Sequence, residues 1–122
     1  MIYTDMTKIA INLAFKAHEN QMGKDGLPYI CHPLHVAEQM TDEISTCVAI
    51  LHDTIEDTNL TIDDIKAAGL PDEVCEALQL LTHEKHQPYI EYVQNLAQND
   101  IARRVKIADL EHNMDESRVK IA

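Results

Sequence analysis

The sequence predicts an all-α bundle of about six or seven helices. Apolar residues recur at helical spacing along most of the chain, whereas the strict alternation typical of half-buried strands is almost absent. Capping residues and prolines divide these periodic segments at positions where helices commonly begin. Trp is absent and Phe occurs once, so the core is expected to be aliphatic.

The predicted helices follow one another with short connections. The first covers residues 4–20 and places Ile9, Leu13 and Ala17 on one stripe. Two glycines and a proline indicate a loop over residues 21–31. The remaining helices are predicted from Pro33 to Met40, from Thr41 or Asp42 through the central apolar run, over 62–68, from Pro71, from Pro88 to about Gln98, and from a cap at Asp100 onward.

Length and charge limit the classes of function. The 122 residues are expected to form one domain, 1–122. The helical pattern continues to Ala122 without a stop signal, as expected if a C-terminal helix is missing. The net charge of -11 argues against a nucleic-acid groove and against an anionic membrane surface. A small anionic substrate is compatible with it, because a metal ion and a few local bases can balance the charge. The oligomeric state is left open.

Cysteine usage and hydropathy favour a cytoplasmic location. Cys31, Cys47 and Cys75 are scattered without CxxC spacing, and their number is odd. No signal peptide precedes the first predicted helix, so a reducing compartment is expected. No apolar run approaches the length needed to span a membrane.

The strongest candidate for chemistry is the segment 47–58. Its apolar run leads directly into His52 and Asp53, and two further carboxylates follow at Glu56 and Asp57. Residues four apart on a helix share a face, so the pattern gathers an imidazole and three acids at the end of a buried helix. Acids beside an apolar core are costly unless a cation lies among them. The segment therefore predicts a divalent metal site.

Two residues from elsewhere are candidate partners for His52 and Asp53. His18 ends the first helix on its apolar side, and Asp109 interrupts the apolar pattern of the last helix. Together the four offer two nitrogens and two oxygens, a set that suits Mn²⁺, Fe²⁺ or Zn²⁺ better than Ca²⁺. A lone histidine is more often structural than a ligand, and Asp109 is equally compatible with a surface position. Spacing alone therefore leaves open whether these residues bind a metal or have structural and surface roles. The remaining histidines are assigned to structure or surface: His32, His35, His83, His86 and His112.

Three segments carry a resemblance to a known family. They are Ala17-His18 followed by Gly26-Leu-Pro-Tyr-Ile-Cys-His-Pro-Leu-His-Val-Ala37, then Ala49-Ile-Leu-His-Asp-Thr-Ile-Glu-Asp-Thr58, and finally Val105-Lys-Ile-Ala-Asp-Leu-Glu-His-Asn-Met114. In this order they resemble the motifs of the HD superfamily of metal-dependent phosphohydrolases. The likeness is specifically to the hydrolase domain of RelA/SpoT-type alarmone enzymes, here in a small stand-alone form.

The resemblance implies a helical HD fold and a pyrophosphohydrolase that removes the 3′-pyrophosphate of ppGpp. It implies one Mn²⁺ held by His18, His52, Asp53 and Asp109. Glu56 and Asp57 would correspond to the acidic pair that positions or activates the attacking water. By the same resemblance, Asn113 would lie by the ribose and 3′-phosphate, and Lys24 would meet the nucleotide.

Two departures from the family pattern concern the substrate. Gly23 stands where the family has an arginine that packs on the base, and Asp115 stands where a basic residue often follows the last motif. Both remove positive charge, so two other functions stay open. One is hydrolysis of another small phosphate ester or nucleotide, and the other is nucleotide sensing by a weakly active module.

Overall fold

Eight helical segments make up the fold in the computed structural model, which describes residues 1–115. The all-α prediction is confirmed, and the one β pairing among the described residues is an isolated bridge between Met22 and Pro28. The pattern noted at Ala122 lies outside these residues. The helices are α1 (Asp5–Ala17), α2 (Cys31–Glu38), α3 (Glu43–Leu51), α4 (Thr54–Asp57), α5 (Ile62–Ala67), α6 (Asp72–Leu81), α7 (Tyr89–Ala97) and α8 (Asp100–Asn113).

Helix α3 is the centre of the bundle. Every residue from Ser45 to Leu51 is buried, so the helix is enclosed on all sides. It packs against α1, α2, α6 and α8. The Asp42 side chain caps its N-terminus by accepting a hydrogen bond from the Ser45 backbone N–H at 2.8 Å, as predicted.

The central helix is broken, which explains why eight segments are seen where six or seven were expected. Helix α3 ends at Leu51, with His52 as its C-cap residue, and the single turn α4 starts after Asp53. The Asp53 backbone, with a φ of -102° and a ψ of -3°, departs from regular helix. The Thr54 hydroxyl donates to the Leu51 carbonyl at 2.8 Å across the break. The hydroxyl thus occupies a carbonyl that a continuous helix would pair with a later backbone N–H.

Other caps follow the sequence with one exception. Thr61 and Asp64 form the predicted capping box of α5. Helix α8 is capped by Asn99, whose side chain accepts from the Ala102 N–H at 3.0 Å, and not by Asp100 as expected. Asp100 instead lies in the first turn and pairs with Arg103 and Arg104. Within residues 1–115, no helix is both long and apolar enough to cross a bilayer.

Candidate metal centre and active site

The ends of three helical regions meet at one group of four side chains. Each of these side chains offers a nitrogen or oxygen ligand atom, and the four atoms lie within 4.8 Å of one another. Three of the residues are buried and the fourth is partly buried. We call this the HHDD group; its members are His32, His52, Asp53 and Asp109.

The break between α3 and α4 allows two adjacent residues to face one point. On a straight helix the side chains of His52 and Asp53 would point about 100° apart. Here the His52 Nε2 atom lies 3.1 Å from the Asp53 Oδ2 atom. The break therefore removes the geometric difficulty of placing both ligands on one ion.

Local hydrogen bonds fix the orientation of the His52 ring. Its Nδ1 lies 2.6 Å from the Ala49 carbonyl oxygen, which can only accept, so Nδ1 carries the proton. Nε2 therefore faces the acids, 3.2 Å from Asp109 Oδ1. Burial lowers the pKa of His52, but Asp53 and Asp109 more than offset this and raise that pKa to about 10.

Asp109 is the most heavily bonded acid in the group. Its Oδ1 lies 2.7 Å from His32 Nε2 and accepts from the Asn113 side-chain amide at 3.2 Å. Its Oδ2 accepts from the Lys106 ammonium at 3.5 Å. Burial raises the pKa of Asp109, yet the hydrogen bonds from His32 and His52 dominate and hold this pKa well below its usual range. The carboxylate is therefore charged throughout the physiological range.

The structure does not group His18 with the other three predicted ligands. This residue caps the C-terminus of α1, its Nδ1 lies 2.9 Å from Gln21 Oε1, and it is not a member of the HHDD group. Its ring packs on Tyr29 at 4.9 Å between centroids, and Tyr29 in turn contacts His32. His32 from the first turn of α2 takes the place that the sequence interpretation gave to His18. Among the described residues, His18 Nε2 is a buried polar atom without a hydrogen-bond partner.

Tyr29 supports the group from the loop that precedes α2. Its hydroxyl donates a short hydrogen bond to Asp53 Oδ2. Burial and the neighbouring charge of Asp53 raise the pKa of the Tyr29 phenol, so it stays protonated and remains a donor. Burial raises the pKa of Asp53 as well, but the His52 ring and this hydroxyl lower it overall.

The two predicted catalytic acids lie on α4, beside the group and exposed to solvent. Glu56 Oε1 accepts from the His83 backbone N–H at 2.7 Å, which ties α4 to the connection after α6. Burial and the charges of Asp53 and Glu56 raise the pKa of Asp57, whereas His18 lowers it. Asp57 is therefore a more basic carboxylate than an ordinary aspartate, which suits a proton acceptor.

The two predicted substrate residues occupy different settings. Asn113 is exposed on the last turn of α8 and reaches Asp109, as described above. Lys24 is exposed in a tight loop closed by a hydrogen bond from the Gly23 N–H to the Leu27 carbonyl at 2.7 Å. Their roles toward a nucleotide stay predictions.

Sequence reasoning missed His32, Tyr29, Lys106 and His112. The first two stand in the Pro-Tyr-Ile-Cys-His-Pro run, where His32 directly precedes the proline of the first helical turn. The available signal was the position of His32 at the start of a predicted helix, directly before Pro33. Lys106 and His112 lie three residues either side of Asp109 and so share its helix face.

The donor set fits a divalent transition metal. Two imidazole nitrogens and two carboxylate oxygens lie within reach of one ion, and this mixture suits Mn²⁺, Fe²⁺ or Zn²⁺. His32, His52, Asp53 and Asp109 would hold the ion through these ligand atoms. The Ala49 carbonyl holds the His52 ring through its other nitrogen, and the Tyr29 hydroxyl bonds Asp53 Oδ2, so both side chains have the kind of outer contact that metal ligands commonly have.

Comparison with curated proteins reveals relatives named as guanosine-3′,5′-bis(diphosphate) 3′-pyrophosphohydrolases and as GTP pyrophosphokinases. No family model matches the chain. It is 32% identical over 119 residues to the human guanosine-3′,5′-bis(diphosphate) 3′-pyrophosphohydrolase MESH1, and 34% identical to that of Xenopus tropicalis. Each alignment covers 86% of this chain and 65% of the relative. A GTP pyrophosphokinase from Myxococcus xanthus is 35% identical over 90% of this chain, which spans 17% of that protein.

A solved structure gives the same result for the fold. It comes from work describing a metazoan orthologue of SpoT that hydrolyses ppGpp, and it matches with a TM-score of 0.78 and 25% identity. The match covers 97% of this chain and 80% of the other. The resemblance to the hydrolase domain of RelA/SpoT-type enzymes, which the three motifs predicted, is therefore confirmed in both sequence and fold.

Proposed function

We propose that the chain is a metal-dependent pyrophosphohydrolase that removes the 3′-pyrophosphate of ppGpp or of a related nucleotide. The HHDD group is the observation that carries this proposal. It gathers four ligand atoms within 4.8 Å of one another, and the exposed carboxylates of Glu56 and Asp57 follow its member Asp53 in the chain. The names of the MESH1 relatives support the substrate. The three free cysteines support a reducing cytoplasm as its setting.

His32, His52, Asp53 and Asp109 would hold the ion, with Mn²⁺ as the proposed metal. When bound, it would polarise a phosphoryl oxygen and lower the pKa of a water molecule. Asp57 would take the proton from the attacking water, whose oxygen forms the new bond to the 3′-linked phosphorus. The bond from that phosphorus to the ribose 3′-oxygen breaks, and the products are GDP and pyrophosphate. Glu56, fixed by the His83 amide, would orient the water.

A turnover assay with ppGpp and Mn²⁺ tests the proposal, with release of pyrophosphate as the signal. The panel should include pppGpp, the adenine analogue and a simple phosphomonoester. Metal-dependent release of pyrophosphate from a 3′-substituted nucleotide is expected. Release of inorganic phosphate from the simple monoester, with no pyrophosphate from any nucleotide, would overturn the proposed substrate, and binding of ppGpp without turnover would favour a sensing module.

We expect metal binding to displace a proton from His52. The metal-free protein has a His52 pKa of about 10, so at neutral pH the ring is cationic and its Nε2 proton must leave before the atom can bind an ion. Metal affinity should therefore rise as the pH rises toward 10. Calorimetric titration with Mn²⁺ at pH 7.5 in buffers of different ionisation enthalpy measures the proton count. An enthalpy that does not depend on the buffer would contradict it.

The same pKa shift gives a stability prediction for the metal-free protein. The folded-state pKa of His52 lies above its usual value of about 6.5. The stabilisation that comes from protonated His52 is therefore fully present below a pH of about 6.5. This contribution is lost as the pH rises through the folded-state pKa of about 10. The melting temperature without metal is expected to fall across this window, and His52→Gln should flatten that dependence.

Gly23→Arg is expected to lower KM for ppGpp by roughly 2–30-fold with little change in kcat. A guanidinium stacked on a purine contributes about 0.5–2 kcal/mol, and the base lies away from the reacting phosphorus. An added Cβ would lie 2.9 Å from Asp25 Oδ1, the acceptor of the Leu27 N–H, so Asp25 has to turn aside. Gly23→Ala introduces the same contact without the guanidinium and is the matched control. Equal KM values for the two variants would contradict base recognition at this position.

A further inference from the structure

We propose that His112 is a positioning residue of the metal centre, whose Nδ1 accepts the Nδ1 proton of His32 and thereby presents the His32 Nε2 lone pair to the ion. The proposal rests on the proposed function in one respect, that the HHDD group binds a metal. It adds a residue outside that group and assigns it a defined hydrogen-bonding role.

The contact between the two rings is direct. His32 Nδ1 and His112 Nδ1 lie 2.6 Å apart, and the rings are nearly parallel at an angle of 6°. His32 is only 2% exposed, so water has little access to its Nδ1 atom. The second ring nitrogen, Nε2, faces Asp109 Oδ1 at 2.7 Å within the HHDD group. His112 is therefore the partner that remains for Nδ1.

Proton placement on His32 decides what its Nε2 atom can do. A neutral imidazole carries one proton, and the nitrogen without it is the one that binds a metal. If Nε2 is to bind, the proton must be on Nδ1 and needs an acceptor there. The Nδ1 lone pair of His112, with its own proton on Nε2, supplies that acceptor. Metal-binding histidines generally use such a partner on the second nitrogen, most often a carboxylate or a carbonyl.

A comparison of the two histidines in the HHDD group shows why this partner is distinct. His52 has the Ala49 carbonyl behind it, an acceptor that no side-chain substitution can remove. His32 depends instead on a side chain from α8, the helix that also carries Asp109. The His112 ring also stacks on the exposed ring of His35, with 4.0 Å between centroids, and that contact holds the plane of the His112 ring. The orientation of the His32 ring therefore depends on α8, the helix that also carries Asp109.

Two substitutions separate the acceptor from the ring. His112→Phe keeps the ring and its stacking but removes Nδ1, and His112→Asn keeps an acceptor oxygen near the Nδ1 position while removing the ring. His35→Ala removes the stacking partner alone and is the control. Mn²⁺ affinity of each full-length variant is measured by calorimetry, and the melting temperature without metal reports any loss of folding.

His112→Phe is expected to weaken Mn²⁺ binding about 10–100-fold, the usual effect of losing such a partner. His112→Asn should restore most of that loss, and His35→Ala should bind like the unsubstituted protein. With Zn²⁺ as a diamagnetic probe, ¹⁵N spectra should show a protonated Nδ1 on His32 and an unprotonated Nδ1 on His112. Unchanged affinity in His112→Phe, equal weakening in the Phe and Asn variants, or a protonated His112 Nδ1 with Zn²⁺ bound would each overturn the inference. Failure of the unsubstituted protein to bind either metal would instead overturn the proposed function.

Discussion

His52→Ala is expected to abolish the stabilisation of the fold by Mn²⁺. For the unsubstituted protein, metal at 100 times its dissociation constant should add about 2.7 kcal/mol of stability. Since 1 kcal/mol shifts the melting temperature of a domain of this size by roughly 3–6 °C, the expected rise is about 8–16 °C. The variant loses one of two nitrogen ligands, the one held by the Ala49 carbonyl, so the remaining three bind the ion far less tightly.

Thermal melts with Mn²⁺ and with a chelator measure this difference. His86→Ala is the matched control, because its side chain is exposed in the connection between α6 and α7. The control should show the full metal-dependent rise. A rise of the same size in His52→Ala would show that the ion binds elsewhere, whereas its loss in both variants would point to a general effect on the fold.

Asp57→Asn is expected to lower kcat by about 10²–10⁴-fold while leaving Mn²⁺ affinity nearly unchanged. Asparagine keeps the size of the side chain but cannot accept the proton of the attacking water. Burial and the charges of Asp53 and Glu56 raise the pKa of Asp57, so the activity of the unsubstituted protein should fall in acid above the pH expected for an ordinary aspartate. This acid limb should be missing from the residual activity of the variant.

Glu56→Gln distinguishes the two carboxylates on α4. Glutamine retains an acceptor for the His83 N–H, so the tie between α4 and the following connection survives. Steady-state kinetics of both variants, with Asp63→Asn on α5 as an exposed control, should show the larger loss in Asp57→Asn. A larger loss in Glu56→Gln would make Glu56 the proton acceptor and Asp57 the residue that orients the water.

The sequence predicted those parts of the fold and site that depend on local pattern. Helical periodicity, the Asp42 cap and the Thr61 capping box are short-range features, and each lies where it was predicted. His52, Asp53 and Asp109 lie beside or within apolar segments, so the sequence indicated an energetic conflict that a cation would resolve, although a surface position for Asp109 stayed equally open.

Choices that depend on packing could not be predicted in the same way. His18 and His32 are both histidines beside apolar residues, and only the packing of α2 against α8, which places His32 Nε2 2.7 Å from Asp109 Oδ1, shows which of them joins the group. The break after His52 depends on a hydroxyl from Thr54 that competes with the backbone, an outcome that helical spacing does not predict. The pairing of His112 with His32 joins residues 80 positions apart.

The break between α3 and α4 also divides the site into a preorganised half and an adaptable half. The fully buried α3 delivers His52 at its end, so the entropy cost of ordering this ligand is met when the core folds. The single turn α4 carries Glu56 and Asp57 outside the core, where only Thr54 of its four residues is buried. Amide hydrogen exchange should therefore be slow through α3 and much faster through α4. Under the proposed function, the two carboxylates on α4 would therefore be able to shift to accommodate a substrate while the metal-binding residues behind them keep their geometry.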